Sequence, residues 1–282
     1  MKTSNKLLLS FAAALILIPI LCIAFVSRVY FEPGDYTSRM GASDTFGAVP
    51  KQNVPITGAG SSESINIEGD TRIHLVIAIT PGKLEVKTTD NLKGLVSVNF
   101  DSSGQLQIKI ANRSDRLENY GRIAISAPGL KQISVNGSRG INLQAEMDSL
   151  KLSLTNTELG QFDASTNVKY FSVTTKNVKD ITFREGNPLS TVLNLNNTNV
   201  KTELTSFDNL TINSAGSSTI ELNGGEDGNP AKTIKNLNIN IMGKSDFKVR
   251  NMEIAQCSGR FSDSTSVQMP AVNLNQMYKV KK

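Results

Sequence analysis

Six times between residues 133 and 240 the sequence places two apolar residues two positions apart. The pairs are Ile133 and Val135, Leu152 and Leu154, Phe171 and Val173, Leu193 and Leu195, Leu210 and Ile212, and Leu237 and Ile239. A small or polar residue sits inside each pair, and Asn136, Thr155, Thr174, Asn196, Asn213 and Asn240 follow them in turn. The offsets between pairs are 19, 19, 22, 17 and 27 residues, the last lengthened by the glycine-rich insertion from Gly224 to Pro230. A second pair often follows within the unit: Ile141 and Leu143, Ile181 and Phe183, Ile220 and Leu222, Phe247 and Val249, Val267 and Met269. A degenerate seventh unit runs from Met252 to Met269. Alternation with period two is the signature of a half-buried strand. Each unit therefore reads as strand, turn, strand, turn. One such unit cannot bury its own apolar side, whereas stacked units can. The spacing predicts an all-β fold, a right-handed parallel β-solenoid (β-helix) over residues 63–270.

Stacked parallel strands lie about 4.8 Å apart, so equivalent side chains form columns. The apolar pairs become the interior, each side chain worth about 1.5–3 kcal/mol on burial. The repeated Asn and Thr have two readings. They can cap the corners, where Asn and Gly tolerate a left-handed backbone, or they can line a groove for a ligand. Upstream, Ile65 and Ile67, then Ile73, Leu75, Ile77 and Ile79, alternate with other residues. Asp101 to Gly104 separates two strand-like runs and suggests a hairpin. The strands between 64 and 127 are expected to cap the first rung, and the tail at 271–282 to shield or trail from the last.

The N-terminus is of another kind. Leu7 through Val26 carries no charged residue, and about 20 helical residues match the hydrocarbon thickness of a bilayer. Residues 7–27 are expected to form an uncleaved transmembrane signal anchor, because a cleaved signal peptide usually has a shorter apolar region. The alternative is a cleaved signal peptide, with Cys22 and Ala24 as the small residues before the cut; a lipoprotein site fits poorly with Leu21 and Pro19 before Cys22. Lys2 and Lys6 precede the run, and positive flanks stay in the cytoplasm. That leaves residues 1–6 as a cytoplasmic stub, 28–62 as a flexible linker rich in Gly, Pro, Ser and Thr, and the repeats outside. The lipid bilayer is thus the first expected partner.

Several activities are disfavoured by what the chain lacks. The net charge is +5 and is spread out, aromatics make up 6 %, and Trp is absent, so no nucleic-acid partner is expected. With one histidine, His74, and two cysteines, Cys22 and Cys257, the common zinc sets cannot be assembled. In period two His74 faces away from Ile73 and Leu75 and reads as a solvated or loosely packed strand histidine. Cys257 reads as a small buried apolar side chain with no disulfide. No phosphate loop, nucleophile elbow or HExxH segment occurs. Glycoside hydrolysis would need two carboxylates about 5–9.5 Å apart. The candidates, Asp227, Asp246 and Asp263, fall singly on late units. No catalytic residue, metal ligand or cofactor is therefore expected.

The stretch from Ala127 to Asn142, APGLKQISVNGSRGIN, resembles the signature of the auto-transporter adhesin head GIN domain family: a Pro-Gly-Leu run, then an Ile-Ser-Val-x-Gly-Ser turn, then Gly and Ile. The strands at 65–79 and the later Leu-x-Ile units are similar to it as well. The usual Gly-Ser-Gly corners are mostly replaced by Asn and Thr, as at Thr155-Asn156-Thr157 and Asn196-Asn197-Thr198, while Asn136-Gly137-Ser138 and Ser214-Ala215-Gly216-Ser217 stay close. The resemblance implies an exported β-solenoid of bacteria of the Bacteroidetes type, with no settled activity. Together with the anchor it places the chain in the bacterial inner membrane, single-pass, with its C-terminal domain in the periplasm. The expected role is a non-enzymatic structural or binding module for a glycan, an envelope polymer or another envelope protein. A carbohydrate-active enzyme on a parallel β-helix is the alternative. A signalling role through six cytoplasmic residues has too little chain to support it.

Overall fold

In a computed structural model, residues 49–111, 120–225 and 232–278 are described. They fall in one compact unit, Ala48–Lys282. Among them no helix is long and apolar enough to cross a membrane. The expected anchor at 7–27, with Cys22, lies outside the described residues.

The fold is all-β, a single sheet of 17 strands closed by one short helix. In chain order the strands are β1 (Gln52–Asn53), β2 (Ile56–Thr57), β3 (Ser61–Glu68), β4 (His74–Thr80), β5 (Glu85–Thr88), β6 (Val96–Phe100), β7 (Gln105–Ile110), β8 (Tyr120–Ser126) and β9 (Gln132–Arg184). They continue with β10 (Ser190–Asn196), β11 (Asn199–Glu203), β12 (Phe207–Ala215), β13 (Ser218–Asn223), β14 (Lys232–Ile241), β15 (Ser245–Arg250), β16 (Met252–Phe261) and β17 (Ser266–Gln268), then helix α1 (Ala271–Tyr278). The 53-residue β9 is one extended run that turns corners at Gly137, Asn156 and Asn177, each at positive φ.

The strands pair in two files. In the first, β3, β9, β10, β12, β14 and β16 follow one another in parallel register. In the second, β4, β9, β11, β13, β15 and β17 do the same. The inward-pointing apolar residues of both files are buried and belong to one continuous core. The chain reaches β9 by a detour. β7 and β8 pair with the far sides of β3 and β4, and β6 and β5 then turn antiparallel onto β7 and β8. These strands cover the outer edges of β3 and β4, and the hairpin at Asp101 to Gly104 joins β6 to β7. The Asp101 carboxylate holds that turn by accepting from the Ser103 and Gln105 amides, each at 2.9 Å.

One register differs from the spacing of the apolar pairs. Phe171 faces Thr191, and Val173 faces Leu193, so the pair Leu193 and Leu195 sits two residues out of step with the pair Phe171 and Val173. Leu193 in turn faces Ile212, and Leu195 faces Ser214. The column runs Phe171, Thr191, Leu210, Leu237, Cys257, and beside it Val173, Leu193, Ile212, Ile239, Gly259. The irregular 22 and 17 offsets vanish once a threonine is admitted to an aliphatic position. Thr191 is fully buried, and its hydroxyl has no hydrogen-bond partner. A buried unsatisfied hydroxyl costs about 1–3 kcal/mol. Thr191→Val keeps the branched shape and removes that cost. We expect it to stabilise the fold by about 1 kcal/mol, read as a raised urea midpoint; a lowered midpoint would mean that the Thr191 hydroxyl is satisfied after all.

Two segments are more ordered than the sequence suggests. Within 28–62, β1 pairs antiparallel with β5 and β2 parallel with β6, and Val54 and Ile56 pack on the core. Two-residue strands are too short to display an alternation. Within 271–282, α1 lies on β16 and buries Asn273.

Candidate binding face

Side chains alternate in and out of each strand, so every file presents an outer face. On the first file those residues line up by register. Tyr170, Ser190, Asn209, Asn236 and Gln256 form one column. Ser172, Val192, Thr211, Asn238 and Ser258 form the next, and Thr174, Asn194, Asn213, Asn240 and Arg260 the third. Of these 15 positions only Arg260 is charged. Charge lies outside these positions: in the first file Lys235 on β14 is 2.9 Å from Asp208 on β12, and the second file carries ion pairs as well. There Glu203 is held between Arg184 at 3.1 Å and Lys201 at 2.6 Å, and Arg250 stands 3.8 Å from Glu221. The hydrogen bond from Lys201 holds the Glu203 carboxyl below the usual carboxylate range, helped by the charges of Lys201 and Arg184 and opposed by some desolvation.

The asparagines of the first face bond to one another across the strands. Asn240 Nδ2 donates to Asn213 Oδ1 at 3.1 Å, and Asn213 Nδ2 donates to Asn194 Oδ1 at 2.9 Å. Asn236 Nδ2 donates to Asn209 Oδ1 at 2.9 Å. The expected member Asn196 is replaced by Asn194, two residues earlier, for the same register reason as Thr191.

A separate column serves the corners. Asn156, Asn177 and Asn197 have φ of 51°, 55° and 51°, in line with Gly137 and Gly216. Their side chains also link, Asn177 to Asn156 at 3.2 Å and Asn156 to Asn136 at 3.0 Å. Inside the bend, Thr157 and Thr198 are buried and donate to the carbonyls of Thr155 and Asn196. Both readings of the asparagines thus have members: one set shapes corners, another covers an open face.

Two hollows lie on the first face. One, of about 480 Å³, is lined by Tyr170, Lys131, Lys151, Gln132 and Ser190 among others. Tyr170 is 57 % exposed. The other, of about 680 Å³, lies over the Asn194–Asn213–Asn240 ladder, with Lys176, Met242 and Arg260 also lining it.

The residues considered for chemistry are dispersed. Asp246 on β15 and Asp263 in the turn after β16 are exposed, and Asp227 lies outside the described residues. Among the described residues no three His, Cys, Asp or Glu side chains gather as a metal site requires. Cys257 is buried, and burial raises its thiol to about 11.

His74 is half-buried. It faces Tyr120 and Gly140 across the ladder, its ring centroid is 5.1 Å from that of Tyr120, and its Nε2 is buried without a partner. Burial, and then the charge of Arg139, lowers its pKa below 6.5. The folded state therefore resists a proton that the unfolded chain accepts. The stability that His74 contributes is complete above about pH 6.5 and falls as the pH drops toward its folded pKa. Urea unfolding at pH 7.5, 6.5 and 5.5 should show this loss, and His74→Gln should flatten it; a parallel slope in both proteins would refute it.

The sequence matches the family model described as "Putative auto-transporter adhesin, head GIN domain" over residues 53–229. The chain belongs to that family. The match spans well over half of this GIN-domain chain and ends before β14, so β14 to β17 and α1 extend past it. No curated protein matches the sequence. Solved structures that resemble it include a putative adhesin from Bacteroides fragilis, 15 % identical, covering 75 % of this chain and 94 % of that one, with a TM-score of 0.41. A putative lipid binding protein from Parabacteroides distasonis is 10 % identical and covers 75 % and 91 %, with a TM-score of 0.33. A putative adhesin from Parabacteroides merdae is 10 % identical and covers 77 % and 96 %, with a TM-score of 0.35. Likenesses of this size transfer no function.

Proposed function

We propose that this GIN-domain protein is a non-enzymatic binding module of the bacterial envelope. In this reading residues 7–27 tether it to the inner membrane and the repeats stand in the periplasm as a right-handed parallel β-solenoid. The outer face of its first file holds an envelope glycan. The in-register pairing of successive rungs 19 or 20 residues apart supports the solenoid. The observation that carries the function is the lattice of 13 amide or hydroxyl side chains in 15 positions, with Val192 and Arg260 as the other two. Sugar hydroxyls both donate and accept, as do Asn, Gln, Ser, Thr and Tyr side chains. Such a face meets a polyol without leaving a charge desolvated. An exposed Tyr adds rigid contact area at low entropic cost.

The test is retention of envelope polysaccharide by the full chain in detergent, compared with a Thr211→Glu variant. Thr211 is at the centre of the lattice. The wild type should retain a glycan fraction and the variant should lose most of it. Wild-type protein that retains none would end this reading.

A further inference from the structure

The hollow over the Asn194–Asn213–Asn240 ladder has features that the rest of the face lacks. No acidic residue lines it. Lys176 and Arg260 line it, and neither has a carboxylate partner among the described residues, unlike Arg184, Lys201 and Arg250. The ladder also has a direction. Each Nδ2 donates toward the preceding rung, so the Asn194 amide hydrogens are left free to donate outward. Two unneutralised cations and a free amide donor thus share one open groove.

Their separation says what kind of anion suits them. Thr174, Asn194, Asn213, Asn240 and Arg260 occupy consecutive ladder positions, and Lys176 follows Thr174 by two residues. Four steps at about 4.8 Å put the ends of the groove roughly 19 Å apart. A single small anion cannot reach both, but a chain with repeated negative groups can. The amides between the two cations are suited to the sugar hydroxyls between those groups. We infer that this groove binds a carboxylate-bearing polysaccharide, laid across the strands along the asparagine ladder, with carboxylates at Lys176 and Arg260. This rests on the glycan-binding reading and names its substrate class. The groove has no aromatic residue on which nucleic-acid bases could stack.

The experiment measures binding of the full chain in detergent to oligogalacturonate, to dextran and to a single-stranded oligonucleotide of equal charge. Wild-type protein should prefer oligogalacturonate, with affinity falling as salt rises. Lys176→Gln with Arg260→Gln should weaken it about tenfold, as expected for lost charge-assisted contacts, with an unchanged urea midpoint. Lys201→Gln on the other file should have no effect. Equal binding of dextran and oligogalacturonate, or an unaffected double variant, overturns the inference and leaves the glycan reading standing. Equal binding of the oligonucleotide overturns it as mere polyanion attraction. Binding of neither sugar removes both.

Discussion

Phe162→Ala is expected to destabilise the protein by about 3–5 kcal/mol, the range for a buried aromatic truncated to Ala. Phe162 is 1 % exposed and stands between two rungs. Its ring is 5.2 Å from Phe171, edge to face at 88°, and 5.0 Å from Phe183. Phe183 in turn contacts Phe207 at 6.1 Å. Gly160 packs close beneath, where a Cβ would stand 3.6 Å from the Phe162 ring. The effect should also change the form of unfolding. In the solenoid proposed above each rung is held mainly by its neighbours, and the lost ring lies near the middle of β9. A weakened middle lets the two ends melt separately. Urea unfolding followed by far-ultraviolet circular dichroism should show a lower midpoint and a broader or split transition. A midpoint shift worth less than about 1 kcal/mol would mean that the Phe162 ring is not locked between Phe171 and Phe183.

Much of this was legible in the sequence. The inward pairs from Ile133 to Ile239 mark the core, and the second pairs mark the other file, because a period of two survives any ambiguity about corners. What misled was register. At the fourth repeat the inward position is held by Thr191, so an apolar-only pattern slides to Leu193 and Leu195, and with it the asparagine ladder moves from Asn194 to Asn196. The same blindness hides Val200 and Thr202, which complete the second file opposite Ile181 and Phe183. Threonine is read as polar in a sequence but fills a β-branched slot in a stack. The binding face was even less visible. That it carries a single charge over these positions appears only when residues about 20 apart are laid over one another, since along the chain its Ser and Asn are interleaved with charged residues. The buried surroundings of His74 depend on Tyr120 and Gly140, distant in sequence. The helical tail has no apolar stripe long enough to announce itself.

Removing residues 271–282 should make the chain self-associate. The last strand of a parallel stack presents a row of unpaired amides and carbonyls, the template on which sheets grow. In this chain α1 occupies that edge at β16. Gln276 Oε1 accepts from the Cys257 amide at 2.9 Å, Gln276 Nε2 donates to the Ala255 carbonyl at 3.1 Å, and Asn273 Nδ2 donates to the Ile254 carbonyl at 2.9 Å. Two side-chain amides thus stand in for the next strand while offering nothing for a further one to extend. Asn273 is 1 % exposed, so Asn273→Ala alone should cost about 1–3 kcal/mol through the carbonyl left unpaired. The truncation goes further and bares Ile254 and Cys257 together with their backbone groups. Oligomers should appear by light scattering. In a Cys22→Ser background the thiol of Cys257, raised to about 11 by burial, should fall toward its ordinary value and alkylate faster at pH 8. The two readouts separate an open edge from a general loss of structure: a truncated chain that keeps its far-ultraviolet spectrum yet associates and reacts has lost only its cap. One that stays monomeric with an unreactive Cys257 would mean that β16 needs no cover, and that the corners and rung-on-rung packing alone end the stack.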